Sequence, residues 1–264
     1  MYGIKKVDKD SINKMRNRYY DTVTAPMDDM WEQGIIRGGV FYAIKKNKTI
    51  GYFAVDSSNN IIQFYIEESY RDESIAAFDF VLKQQYISQA FVCTYEPQFL
   101  SLCMDRNAGV KINSYLYTQI KSVDFDKPIK SIYSKLAKPE DLEAVLTYNK
   151  DKVGLDGDWQ TEYYKKLIPN EELMLYFADD EIIGAGEMRP SKSSNKYANI
   201  GMSVSKDYRR KKIGTYILTQ MRAYANSREL TAICSTTAEN IASQRAIIKC
   251  GFYAYHRILT VRFK

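Results

Sequence analysis

Residues 204–218 read VSKDYRRKKIGTYIL and set four consecutive cations, Arg209, Arg210, Lys211 and Lys212, directly before apolar residues at helical spacing. A helix N-terminus carries unpaired backbone N–H groups and a partial positive charge, so cations beside it make a site for phosphate groups. Gly214 lets backbone approach a bulky anion, while Ile213 and Ile217 face a core. Charge alone fits a solvated basic helix start equally well. A second informative stretch, residues 239–252 (ENIASQRAIIKCGF), opens a short helix at Asn240 and closes it at Gly251.

Much other chemistry is excluded. The single histidine, His256, leaves no room for Ser-His-Asp or Cys-His machinery unless it is itself the base. The cysteines Cys93, Cys103, Cys234 and Cys250 show no CxxC spacing, so neither a metal site nor a disulfide framework is expected. With Lys+Arg 38 against Asp+Glu 32 the net charge is +6, but acids are interleaved throughout, which speaks against nucleic-acid binding. At 264 residues, 45% hydrophobic and 27% charged, the composition is that of a folded protein with one large or two small domains. No apolar run is long enough to span a membrane and none follows the N-terminal lysines, so a cytoplasmic protein is expected.

The elements that must position these residues alternate. Strands are predicted at 131–136, 173–178, 182–189 and 197–204, with Asp179 and Asp180 as a hairpin turn. A helix starts near Lys138 with Pro139 and acids in its first turn. Beyond 204 the period changes: Ile213, Ile217, Met221 and Tyr224 mark a helix from about Lys211 to Ser227, followed by a strand at 230–235, a helix at 241–249 and a strand at 253–263. The first half repeats this order more weakly, with strands at 40–45, 49–55, 61–67, 90–94 and 112–120 and a helix from Ser74 to Gln85. Ile50-Gly51 aligns with Ile183-Gly184, and Tyr70-Arg71 with Tyr208-Arg209. A duplicated α/β (α+β) architecture is expected, with domains at 1–126 and 127–264 and a polar, proline-containing boundary at 124–128.

Over residues 131–264, the strand ending in Val-x-x-x-Tyr-Arg, the basic turn with Gly214, and the Asn-led helix ending in Lys-x-Gly-Phe together resemble the GNAT superfamily of N-acetyltransferases. The resemblance implies two tandem GNAT-like domains, each a mixed, mostly antiparallel sheet flanked by helices. It implies acetyl-CoA as co-substrate and no metal, with Arg209, Arg210, Lys211, Lys212, Ile213, Gly214 and Thr215 on its phosphates. Met202, Ser203 and Val204 would present backbone to the pantetheine, and Asn240 and Ser243 would lie along its far side. The activity implied is transfer of an acetyl group to a primary amine, small-molecule or peptide, by direct attack on the thioester, in a monomer or homodimer. The alternative is a non-catalytic CoA-binding or sensor protein, because Lys212 replaces the usual first turn glycine, Asn199 the usual strand glutamate, and Ile247 the usual helix tyrosine; Thr215 stands where a second Gly or Ala is usual but Thr is often tolerated.

Proton carriers must therefore come from elsewhere. Glu187, Asn199, Tyr253, Tyr255 and His256 are the candidates; an exposed or lysine-paired Glu187 and a packed His256 are the structural alternatives. Asp156 and Asp158 would attract a cationic amine and Trp159 would offer it a ring face, although helix capping also accounts for Asp158. In the first half Asp72 and Glu73 follow Tyr70-Arg71, putting negative charge where phosphate would lie, so no CoA is expected there.

Overall fold

Short turns with left-handed backbone angles fold the apolar runs into hairpins. In a computed structural model, which describes residues 1–84 and 86–264, the chain begins with β1 (Gly3–Val7), α1 (Asn13–Thr22), α2 (Asp29–Gly38), β2 (Val40–Lys46), β3 (Lys48–Val55) and β4 (Ile61–Ile66). Asn47 (φ 66°) and Asn59 (φ 61°) turn β2 into β3 and β3 into β4, a conformation Asn tolerates better than most residues. There follow α3 (Ser74–Leu82), β5 (Gln89–Cys93), α4 (Pro97–Asp105) and β6 (Asn107–Gln119).

The second run comprises β7 (Tyr133–Leu136), α5 (Leu142–Thr147), a π-helical turn (Tyr148–Val153), α6 (Trp159–Leu167), β8 (Leu173–Ala178) and β9 (Glu181–Pro190). It ends with β10 (Tyr197–Val204), α7 (Ile213–Ser227), β11 (Thr231–Thr237), α8 (Ile241–Lys249) and β12 (Phe252–Phe263). Asp179 (φ 49°) and Asp180 (φ 61°) form the expected turn between β8 and β9, both central residues left-handed as a tight hairpin of the right twist requires.

Contacts divide the chain into residues 1–116 with 255–264, and residues 117–254. In the first unit the strand order is β1-β2-β3-β4-β5-β12-β6. Its meander is antiparallel, and period-two alternation sends Phe53 to one face and Tyr52 and Ala54 to the other. On one face Phe64, Phe78, Phe99 and Val261 form a core; on the other Tyr19, Ile35, Tyr52 and Ile258 form a second. β12 enters this sheet beside β5, Ile258 opposite Cys93 through Arg262 opposite Gln89.

In the second unit β11, β10, β9, β8 and β7 lie side by side in that order. β10, β9, β8 and β7 are antiparallel, whereas β10 and β11 are parallel. Val145, Tyr148, Tyr164, Leu167 and Leu175 build the core under α5 and α6. α7 covers the opposite face, which is possible because Gly184 and Gly186 lack side chains where Ile217 and Met221 press in. Arg222, 2% exposed, donates from Nη1 to the carbonyls of Val123 (2.9 Å) and Cys250 (3.0 Å) and pairs with Asp124 at 3.3 Å. The segment expected to separate the domains is thus tied into the second unit, while the last ten residues belong to the first.

Other elements differ from expectation. β1, α1, α2 and α4 are not among the expected elements; β1 and α1 are mostly polar, whereas α4 buries Phe99, Leu102 and Cys103 at helical spacing and has Pro97 at its start as a helix-opening signal. The helix expected from Ser74 ends at Leu82, and its expected end at Gln85 lies outside the described residues. No helix is long and apolar enough to cross a membrane among the described residues.

Candidate functional site

The site starts from the way β10 parts from β11. Parallel pairing covers Tyr197 opposite Thr231, Ala198 opposite Ala232 and Asn199 opposite Ile233, whereas on the other edge β10 stays paired with β9 as far as Val204 opposite Gly184. Between Gly201 and Val204 the edge facing β11 is therefore open, with backbone donors and acceptors available to an extended guest. A cleft of about 670 Å³ lies there. Met202, Ser203 and Val204 line it, as do Arg209, Arg210, Lys212, Ile213, Gly214, Thr215, Asn240 and Ser243. All the residues expected at a cofactor site thus meet in one cleft except Lys211, whose ammonium sits over the Tyr208 ring at 4.8 Å. Sequence reasoning missed Val153, Leu155, Arg245 and Lys249, which also line it. The last two follow Asn240 at helical spacing, a signal the motif overshadowed.

The basic turn has a particular shape. Arg210 (φ 65°) and Lys212 (φ 64°) both occupy the left-handed region, where glycine is at ease and lysine is not. The first bond of α7 runs from the Tyr216 N–H to the Lys212 carbonyl at 3.1 Å. The amides of Ile213, Gly214 and Thr215 consequently have no carbonyl one turn earlier and can serve an anion. Gly214, which lines the cleft, also has a packing part. A Cβ on it would meet Met202 Sδ at 3.2 Å and Val204 Cγ2 at 3.5 Å, so its bareness seats α7 against β10. Arg209 is already engaged, its Nε donating to the Val204 carbonyl (3.3 Å) and its Nη2 to the Val153 carbonyl (3.1 Å). It clips the strand end to the π turn. Asn240 caps α8, its side chain accepting from the Ser243 N–H at 3.1 Å.

On the other face of β10, under α5 and α6, lies a polar cluster. Glu187 is opposite Gly201 in register, and its Oε2 is 3.8 Å from where a Cβ on residue 201 would stand. It is neither exposed nor lysine-paired. Tyr163 donates its hydroxyl to Glu187 Oε2 at 2.6 Å, and Arg189 Nε is 3.8 Å from the same oxygen. Burial, with the Glu187 charge nearby, pushes the Tyr163 hydroxyl well above the usual tyrosine range. Tyr148 approaches Ser203 Oγ at 3.2 Å, and burial raises its hydroxyl to about 12. Asn199, 2% exposed, is opposite Arg189. Ile247, where the resemblance leads one to expect tyrosine, is buried.

The expected acceptor residues surround the entrance of α6. Asp156 pairs with Lys150 at 3.3 Å. Asp158 immediately precedes the helix but makes no capping bond with its side chain, so capping does not account for it. Trp159 is 54% exposed and rests edge-on against Tyr163, ring centroids 5.5 Å apart. His256 and Tyr255 belong to the first unit, where His256 Nδ1 meets Thr94 Oγ1 at 3.2 Å and its ring stands against Tyr95. Burial, with Arg257 alongside, lowers its pKa. Tyr253, on the first residues of β12, is in the second unit and 54% exposed.

The corresponding place in the first unit is built otherwise. β4 and β5 likewise pair in parallel only briefly, Ile61 opposite Ala90, but there Gln98 fills the gap. Its Oε1 accepts from the Ile66 N–H at 3.3 Å and its Nε2 donates to Ser74 Oγ at 3.1 Å. Glu73, before α3, is held by Lys46 and the Tyr2 hydroxyl.

Comparison with known proteins agrees with this geometry. An acetyltransferase (GNAT) domain model matches residues 8–120, and an acetyltransferase (GNAT) family model matches residues 139–252. The chain is similar to the structure of a GNAT-family acetyltransferase from Colwellia psychrerythraea, 30% identical, over 99% of this chain and 100% of that one, with a TM-score of 0.91. The fold also matches a GCN5-related N-acetyltransferase from Sphaerobacter thermophilus, 11% identical, over 99% of this chain and 95% of that one (TM-score 0.68). A tandem GNAT protein from the clavulanic acid biosynthesis pathway, 13% identical, matches over 99% of this chain and 98% of that one (TM-score 0.61). No curated protein matches the chain.

Proposed function

The chain belongs to the GNAT acetyltransferases and carries two such domains in tandem, and on that premise we propose that residues 117–254 bind acetyl-CoA and pass its acetyl group to a primary amine. The observation that carries this reading is the cleft between β10 and β11, where an open strand edge leads to a basic turn and a helix N-terminus. Acetyl-CoA supplies a thioester carbonyl activated for attack by an amine. The open edge at Met202, Ser203 and Val204 suits an amide-bearing chain, and the turn amides with Arg210 and Lys212 suit its phosphates. The charged residues that line the cleft, Arg209, Arg210, Lys212, Arg245 and Lys249, are all cations, as a polyanion requires.

On the other side of β10, Glu187 takes the proton of the incoming ammonium, since its carboxylate reaches over Gly201. Asp158 and the exposed face of Trp159 attract the cation toward it. Glu187 favours transfer over passive binding: a protein that only held CoA would have no use for a carboxylate there. In the first unit, Gln98 and Glu73 occupy the equivalent features, and we assign that unit no CoA.

Calorimetric titration with acetyl-CoA and with desulfo-CoA tests the reading, followed by release of free thiol with a panel of amines. Binding of both, and thiol release with at least one amine, is expected. Arg210→Glu combined with Lys212→Glu should weaken binding by about 10-fold or more, given the worth of charge-assisted hydrogen bonds. Unchanged affinity in that variant would remove the phosphate assignment.

A further inference from the structure

We infer that Tyr163 is a positioning residue for Glu187, holding the carboxylate over Gly201 where the acceptor amine must give up its proton; this rests on the reading of the site given above. Tyr163 and Trp159 are four residues apart on α6 and so lie on one side of the helix, their ring centroids 5.5 Å apart, with Trp159 the more exposed of the two. Tyr163 also packs against Tyr164 at 5.3 Å, and the Arg189 guanidinium lies over its ring at 5.8 Å. The next residue anchors the helix independently, because Asn149 Nδ2 donates to the Tyr164 hydroxyl at 3.0 Å and to the Val145 carbonyl at 3.0 Å. The Tyr163 ring is fixed on several sides before its hydroxyl meets Glu187.

The direction of that hydrogen bond follows from chemistry. A buried phenol beside a carboxylate stays protonated, so Tyr163 donates and Glu187 accepts at 2.6 Å. Tyr163 is therefore no base. It holds one oxygen of Glu187 on the side of Gly201, whose missing side chain leaves room for an amine. In the transfer, the amine nitrogen forms the new C–N bond as the C–S bond breaks. Of the three ammonium protons, one passes to Glu187 and then to water, which frees the attacking amine; a second leaves with the thiol, and the third stays on the amide nitrogen. Without Tyr163 the carboxylate would swing toward Arg189, 3.8 Å from the same oxygen.

A double-mutant cycle distinguishes positioning from mere packing. Tyr163→Phe keeps the ring and removes one hydroxyl. It should lower kcat by about 10- to 100-fold, the value of a hydrogen bond to a charged group, with the amine KM and the acetyl-CoA Kd nearly unchanged. In a Glu187→Gln background the same change should have little further effect. Glu187→Asp, which withdraws the carboxylate from Tyr163 by one methylene, should lose rate comparably and make Tyr163→Phe silent. Full-speed Tyr163→Phe beside a slow Glu187→Gln overturns the link alone, as does a Tyr163→Phe loss of equal size in both backgrounds. Absence of turnover in the wild type, or Glu187→Gln at the wild-type rate, overturns the site reading and the link with it.

Discussion

Lys212 holds a backbone angle that glycine would hold without strain (φ 64°, ψ 6°), and it does so at the head of the helix that faces the cleft. A left-handed lysine costs about 1 kcal/mol, part of which glycine would return as unfolded-chain entropy. Lys212→Gly should therefore raise the urea midpoint slightly while weakening acetyl-CoA binding through the lost cation; a less stable variant would mean that the lysine stem itself holds the turn. Glu96, 3% exposed in the first unit, is the other residue with a measurable signature. Burial pushes its carboxyl up to about 7, although the Tyr19 hydroxyl and the Cys93 N–H, both 2.6 Å away, hold it down. Its folded value lies above the unfolded one, so between about pH 4.5 and 7 the folded state keeps a proton that the unfolded chain has released. Stability should fall as pH rises through that window, by about 3 kcal/mol in all, and level off above it. Denaturant midpoints measured from pH 5 to 8 should show this slope, and Glu96→Gln should flatten it.

At the scale of the element, α7 is the piece on which the cleft depends, and its seating on the sheet rests on glycine. A side chain at Gly184 would strike Ile217 Cδ1 and stand 3.1 Å from the Ser203 carbonyl. Gly184→Val should cost about 1–3 kcal/mol by overpacking and should also weaken acetyl-CoA binding, because lifting α7 moves the turn away from β10. Gly201→Ala is the contrasting case. Only Glu187 Oε2, at 3.8 Å, lies near its would-be methyl, so the fold should be as stable as the parent while the methyl crowds the acceptor side and slows turnover. Equal turnover by Gly201→Ala and the parent would place the reacting amine elsewhere. These elements also show what could be read without coordinates. The basic turn and α7 were legible because charge and helical period are local, and residues 202–204, 209, 210 and 212–215 with Asn240 and Ser243 line one cleft. The parting of β10 from β11 was implied only by family resemblance, since where a ladder stops depends on both strands. The Tyr163–Glu187 pair was not legible at all: the two are 24 residues apart, and only α6 crossing the sheet brings them together. The packing part of Gly214 was not legible, as its neighbours are Met202 and Val204 on a strand that the helix pattern does not reveal.

For the whole molecule, the course of the last strand matters most. The polar stretch at 124–128 looks like a boundary because local composition marks where a chain pauses, but composition carries no information about which sheet a strand joins ten elements later. β12 joins the first unit, between β5 and β6, with Ile258 and Val261 each buried in one of its two cores. A chain cut after residue 254 would leave β5 and β6 without the strand that separates them, and burial of each such side chain is worth about 1.5–3 kcal/mol. It would also strip β5 of the ladder running from Ile258 opposite Cys93 to Arg262 opposite Gln89, exposing paired backbone groups. The truncated protein should lose amide-exchange protection across β2 to β5, while residues 117–254 keep the β10–β11 cleft and bind acetyl-CoA. A fragment of residues 1–126 should be unfolded for the same reason, and supplying residues 252–264 as a peptide should restore protection in β5. If the fragment is protected without the peptide, the first unit is complete on its own and β12 is an addition to its edge rather than part of its core.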